Sequence, residues 1–425
     1  MKKRTDGGFL YGHRFSIGFF IYLVLYNFIV VTRFKFWEVS EKGTYMHHII
    51  DYKTFGFREG MLPGSIYYGI FGENASVKSA SIYETVLIIL FFLAVSILLE
   101  RFMKHVEPRF RTAALVAVTV FLSGPFTFAV FTDELGMPDV YLLFFAIVFF
   151  FTVENRILRF LIPAVFVLLT MVHLSALISY IVLLGILLLY RISTETEGNK
   201  KKALWAVFAI SIFASAGMVV YLLAFKKEMP VSVNEFNSIL ESRGGKYFTY
   251  LDYTLYDYNY DVFGGNLYPQ EIYSIANPVL RALKLAFAKL HFLHNDYMQY
   301  FSQGANLPLR FVISAVLLTP LMAFFYKHIF RLFKSIDGNR LKKFSVFLMM
   351  VQFPFTLILG YTFSLDIIRW VSHAFIISFV MFLYVLYREE QTRTEVLEAV
   401  EKIRAVPATY IYLLAYCFVN FSAYS

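Results

Sequence analysis

Apolar residues in this chain come in blocks of roughly 16–23, the length of helix that crosses the hydrocarbon core of a bilayer. That pattern decides the class of fold before any motif is read. Hydrophobic residues make up 58% of the 425 and charged residues only 16%, whereas a soluble domain carries about 25% charged residues. A soluble enzyme, a disordered chain and a fibrous repeat are excluded. The 49 Phe and 30 Tyr put aromatic rings through the membrane core and its interfaces. The single cysteine, Cys417, excludes a disulfide framework and a cysteine-based metal site. The net charge of +9 has to be read by position, because in a membrane protein it reports orientation.

Eleven candidate spans are predicted: 15–32, 82–99, 112–131, 140–153, 157–172, 174–190, 203–225, 307–326, 345–363, 367–387 and 408–422. The first follows a basic start but lacks a small-x-small cleavage site, so it reads as a span rather than a signal peptide. The fifth and sixth form one tight hairpin, which leaves open a single re-entrant element there. With the N-terminus inside, 24 of the 39 Lys and Arg fall on inner segments or, for Arg159, at the inner end of the fifth span, and none on the short outer segments, as the positive-inside rule requires. The expected fold is therefore all-α: a polytopic integral membrane protein of about 11 transmembrane helices. It forms a single transmembrane domain over 1–425. Two long outer loops, 33–81 and 226–306, carry interfacial helices, the second an amphipathic one around NPVLRALKLAFAKLHFLHND. The inner loops at 191–202 and 388–405 read as solvated connectors, the latter as a surface helix with Glu398 and Lys402 at i,i+4 spacing.

Polar chemistry gathers on the outer side. The first loop holds Asp51, Arg58 and Glu59 among aromatics. It is either a solvated loop or the lip of a cavity, with Asp51 or Glu59 as a catalytic acid and Arg58 binding a phosphate. The segment FTDELGMPDVYLL places Asp133, Glu134 and Asp139 within eight residues. Such carboxylates either hold a hard divalent cation or an acceptor, or serve as a base; Asp139 also suits a helix N-terminus. His173 sits at the tip of the tight hairpin, a structural residue or a ligand. Asp366, Arg369 and His373 share one helical face, as a local ion pair or as a substrate site whose Arg fork suits phosphate. No P-loop, GxGxxG, HExxH or GxSxG pattern occurs. Nothing points to a nucleic-acid partner.

This layout resembles the GT-C class of multi-span glycosyltransferases. The likeness rests on four stretches: DYKTFGFREGMLPGSIYYGIFG in the first outer loop, TDELGMPD between the third and fourth spans, LLTMVHLSALISY at the hairpin, and a large outer segment after the seventh span. The resemblance implies sugar transfer from a polyprenyl-phosphate carrier to a glycan or lipid acceptor on the outer face, in polysaccharide or cell-envelope biosynthesis. It implies Asp51 as the base, and in some members a divalent metal such as Mg or Mn. The expected location is a bacterial cytoplasmic (inner) membrane, with the site facing outward. Two other readings stay open: a polymerase of polysaccharide repeat units, and a transporter or flippase for a lipid-linked or polar solute. The latter would need polar groups along a path through the membrane, and the sequence concentrates them on one side.

Overall fold

The computed structural model describes residues 13–27, 29, 45–56, 60–124, 127–128, 135–224, 238–239, 241–243, 280, 306–363 and 367–423. Among them there is no strand. Six helices are long and apolar enough to cross a membrane, and the chain is a helical integral membrane protein.

The first segments are α1 (Arg14–Tyr26), then three short helices: α2 (Met46–Ile49), α3 (Tyr52–Phe55) and α4 (Leu62–Phe71). The longest early helix, α5 (Val77–His105), opens on a capping box. The Ser79 amide donates to the Ser76 hydroxyl at 3.1 Å, and the Ser76 amide to the Ser79 hydroxyl at 2.9 Å. Its 29 residues end on Lys104 and His105, cations where the helix dipole favours them. Next come α6 (Arg111–Leu122), α7 (Asp139–Thr152), α8 (Ile162–Val172), α9 (Tyr180–Ser193) and α10 (Gly198–Ala224). The C-terminal part holds α11 (Asn306–Ser335), α12 (Arg340–Phe363), α13 (Ile367–Arg388), α14 (Glu390–Arg404) and α15 (Pro407–Ala423).

Every apolar block predicted from the sequence contains helix, but not every block gives a full span. Those at 15–32, 140–153 and 157–172 yield shorter apolar helices. The block at 112–131 is helical over Arg111–Leu122 and stops at Ser123 and Gly124. Short helices occur within 33–81, where helices were expected, and α14 is helical, as expected over 388–405.

Burial sorts the helices. In Leu174–Ser193 and Trp370–Arg388, 72% of the apolar stretch is buried, against 22–28% in Gly198–Leu222, Val316–Ser335 and Arg340–Leu359. Thus α9 and α13 are central, while α10, α11 and α12 turn residues such as Phe213, Val316 and Ile358 outward. An apolar face that is exposed in water would be a liability, but in lipid it is the normal outer surface. Around the centre, α1 packs on α5, α7 on α5 and α8, and α12 on both α9 and α13. Ser16 fastens α1 to α5: its hydroxyl and amide donate to Glu100 Oε2 at 2.5 and 3.0 Å.

One end of the helices carries a network that the reading of 191–202 and 388–405 as solvated connectors did not anticipate. Arg191 bonds Glu154 at 3.1 Å and Glu195 at 2.8 Å. Tyr384 donates to Glu154 at 2.8 Å, and Tyr190 donates to Glu389, which also meets Lys342 at 2.8 Å. Burial alone would raise the Glu195 carboxyl; the Glu197 amide and Arg191 overcome it and hold it below the usual carboxylate range. These groups tie α7, α9, α12 and α13 together at one end. Charge runs in the sequence do not reveal this, because partners such as Glu154 and Arg388 lie 234 positions apart.

Candidate functional site

Three polar clusters lie toward the other end of the helices. In a protein of apolar helices each such group carries a desolvation cost, so the groups are expected to meet partners and to mark function.

The first cluster joins residue 243 to residues 45–54. Asp51 is the N-cap of α3, its Oδ1 accepting from the Thr54 amide at 2.8 Å. Its Oδ2 meets Arg243 Nη1 at 2.6 Å. The same guanidinium donates to the Ile49 carbonyl at 2.5 Å and to the Thr54 hydroxyl at 2.7 Å, and stacks 4.0 Å from the Tyr68 ring. The Tyr45 hydroxyl donates to the Arg243 carbonyl at 3.0 Å. Burial pushes the Tyr45 and Tyr52 phenols well above their ordinary range, so both stay neutral. Asp51 is therefore buried and engaged through both oxygens. A single substitution tests this packing. Gly64 of α4 lies so close to the Ile50 and His47 carbonyls that an added Cβ would overlap both. Gly64→Ala should destabilise the protein by ~1–3 kcal/mol through overpacking, seen as a lowered unfolding midpoint in detergent. A midpoint equal to wild type would show that α4 does not hold residues 47–51.

In the second cluster His48 Nε2 meets Glu84 Oε1 at 2.8 Å, both side chains fully buried. Tyr67 and Tyr83 pack edge-on against the imidazole. Tyr83 and Tyr141 lie beside the Glu84 carboxylate.

The third cluster draws residues 139, 180 and 373 together from three helices. His373 Nε2 meets Asp139 Oδ1 at 2.8 Å, and its Nδ1 meets the Tyr180 hydroxyl at 2.8 Å. All three are buried. A carboxylate accepts only, so Nε2 carries the proton and Nδ1 is left to accept from the phenol. Asp139 is in the first turn of α7, where the helix dipole favours an acid. Two residues on, Tyr141 points about 200° away around the helix, so α7 separates this cluster from the Glu84 one. Below it, Thr356 donates to the Ile178 carbonyl at 3.0 Å and Gln352 to Thr356 at 2.7 Å, extending a polar seam between α9, α12 and α13.

Of the residues singled out in the sequence, Asp51 and Asp139 thus fall in different clusters. His173 caps the turn after α8, its Nδ1 accepting from the Ser175 amide at 3.0 Å. Arg58, Glu59, Asp133, Glu134 and Asp366 lie outside the described residues, and of Arg369 only its place in the first turn of α13 is described. Among the described residues no group of three or more His, Cys, Asp or Glu converges as a metal site. Arg243, His48, Glu84 and Tyr180 were not among the expected site residues, and His373 was noted only for its helical face. For His48, Glu84 and His373 the signal was there, a titratable residue in an apolar setting; for Tyr180, one among 30 tyrosines, there was none.

A crevice of about 190 Å³ opens beside the third cluster. Its walls are Phe, Leu, Ile and Val side chains of α5, α6, α7, α9 and α13. Tyr180 lines one end; Glu154 and Arg101 line the other. Along α7 it runs from Leu143 to Glu154, about 16 Å at the helical rise. No family model, no curated protein and no solved structure matches this chain.

Proposed function

We propose that this protein is a membrane glycosyltransferase of the GT-C kind, moving a sugar from a polyprenyl-phosphate carrier to a glycan or lipid acceptor at the outer face of a bacterial cytoplasmic membrane. The observation that carries the reading is the apolar crevice headed by the Asp139–His373–Tyr180 chain. A prenyl tail needs a long apolar slot at membrane depth, and the sugar phosphate at its head needs polar groups at one end. The layout of eleven spans with the N-terminus inside is supported by the distribution of Lys and Arg along the sequence, and in that layout Tyr180 lies at the outer end.

In this reading the acceptor hydroxyl attacks the anomeric carbon. A new carbon–oxygen bond forms, the bond from that carbon to the phosphate oxygen breaks, and the electron pair leaves with the polyprenyl phosphate. The acceptor's proton passes to the Tyr180 oxygen as the Tyr180 proton passes to His373 Nδ1, and Asp139 stabilises the imidazolium through Nε2. Asp51, expected as the base, is held by the Thr54 amide and Arg243 and orders the loops over the site instead. Arg58 and Arg369 are the cations proposed for the departing phosphate, where preorganised charge acts on the transition state. Asp133 and Glu134 are proposed to hold the acceptor or a divalent ion.

The test uses purified protein in lipid with a panel of polyprenyl-phosphate sugars, followed by mass spectrometry. Tyr180→Phe removes one oxygen and should lower turnover by roughly 10²–10⁴, the usual contribution of a positioned acid or base. If no donor turns over with wild type, and Tyr180→Phe keeps its function in cells, the enzyme reading fails.

One observation favours the transporter. The same crevice carries polar groups at both ends, Tyr180 at one and Glu154 with Arg101 at the other, whereas the sequence reading had placed polarity on one side only. Movement of a labelled prenyl phosphate between leaflets without any donor turnover would select that reading.

A further inference from the structure

A second apolar cavity, of about 540 Å³, lies between α6, α11, α13, α14 and α15. It shares Phe102, Phe121, Phe379 and Leu383 with the crevice below Tyr180. The two spaces are thus neighbours behind one partition. At its centre Phe121 and Phe379 stack face to face, their planes 5° apart. Aromatic pairs favour offset or edge-on contacts over a face-to-face sandwich, so parting these rings sacrifices little.

The second cavity lies alongside the crevice: along α13 its lining runs from Phe375 to Leu386 and the crevice's from Ile376 to Tyr387, both reaching the end where α14 lies. There α14 closes it with Val396, Leu397 and Val400, the apolar stripe of an otherwise polar helix. Its rim holds one cation, Arg404, which already donates to Glu401 Oε2 through Nε and Nη2 at 2.9 and 2.7 Å. A phospholipid entering from this side would place its phosphate beside a cation whose charge Glu401 already offsets. A chain entering from the crevice brings only its methyl-branched tail.

We propose that the second cavity holds the distal end of the carrier's prenyl tail, admitted between Phe121 and Phe379, so that the protein selects long prenyl chains over short ones. This rests on the reading of the substrate as a prenyl-linked sugar. Two substitutions that fill the cavity from different helices, Ala117→Trp on α6 and Val400→Phe on α14, test it. Binding of farnesyl phosphate and undecaprenyl phosphate to wild type and both variants in nanodiscs is measured by native mass spectrometry. Size-exclusion profiles select the variant or variants that fold.

The expected result is tighter binding of the long chain by wild type, weakened about tenfold or more by filling, with farnesyl phosphate unaffected. Equal binding of both lengths by wild type overturns the proposal alone. So does a filled cavity that still binds the long chain as wild type does, or one that loses only a co-purified phospholipid. If neither prenyl phosphate binds wild type, the prenyl-carrier reading falls with it.

Discussion

Replacing His373 with alanine should be the most damaging single change in the central helices, costing ~3–5 kcal/mol of stability because it strips a buried carboxylate of its partner. The geometry sets this size. Asp139 is 2% exposed and Tyr180 1%, so both would lose a partner at a buried position. Its loss touches three helices together, since α7, α9 and α13 each contribute one member. The three variants should rank in order. His373→Ala leaves both neighbours without the ring. Asp139→Asn keeps a hydrogen-bonding side chain but removes the charge and frees the ring to adopt the other tautomer. Tyr180→Phe removes one neutral hydrogen bond, worth about 0.5–1.5 kcal/mol. Reversible unfolding in mixed micelles measures each, and the His373→Ala, Asp139→Ala double mutant gives the coupling. Residues in direct contact couple by about 0.5–3 kcal/mol; additive singles would show that the chain is not a unit. Turnover separates structure from chemistry: Tyr180→Phe should lose far more activity than its stability change explains.

The apolar helices were legible in the sequence and the arrangement of partners was not, for one physical reason. Span length depends on the thickness of the bilayer, so the run of apolar residues from Val86 to Leu99 announces a helix whatever it packs against. Pairing depends on which helices meet. Asp139 was legible as an acid at a helix start, but its partner is 234 positions away. Asp51 was legible as an acid in the first loop, yet Arg243 lies 192 positions on, in the second long loop, where the sequence singled out no site residue. The inner network shows the opposite error. Arg191 and Glu195 looked like surface charge, yet Arg191 is buried and Glu195 half-buried because α7, α12 and α13 bring Glu154, Asn339 and Arg388 against the end of α9. Charge in a short connector between spans is ambiguous until the neighbouring helices are known. That ambiguity hid the polar groups at the far end of the crevice, and with them the best argument for a transporter.

His48→Ala should destabilise the protein by about as much as His373→Ala, ~3–5 kcal/mol, because Glu84 is fully buried and removing one partner of a buried pair leaves the other charge uncompensated. The double replacement His48→Leu, Glu84→Met should recover most of that loss, since an apolar pair of similar volume removes the desolvation cost of both groups. Glu84→Gln is the milder single change: an amide oxygen still accepts from Nε2, so the contact persists without its charge. The consequence reaches beyond stability. His48 sits on α2 and Glu84 on α5, so the pair fixes the first outer loop to a spanning helix. Asp51 follows three residues later, and its bond to Arg243 depends on that anchorage. Hydrogen exchange should therefore rise over residues 45–56 in His48→Ala while α9 stays protected. In the double mutant it should return toward wild type if anchorage is a matter of packing, and stay high if the ion pair itself supplies it. A single mutant as stable as wild type, with unchanged exchange over 45–56, would remove the pair from any structural role.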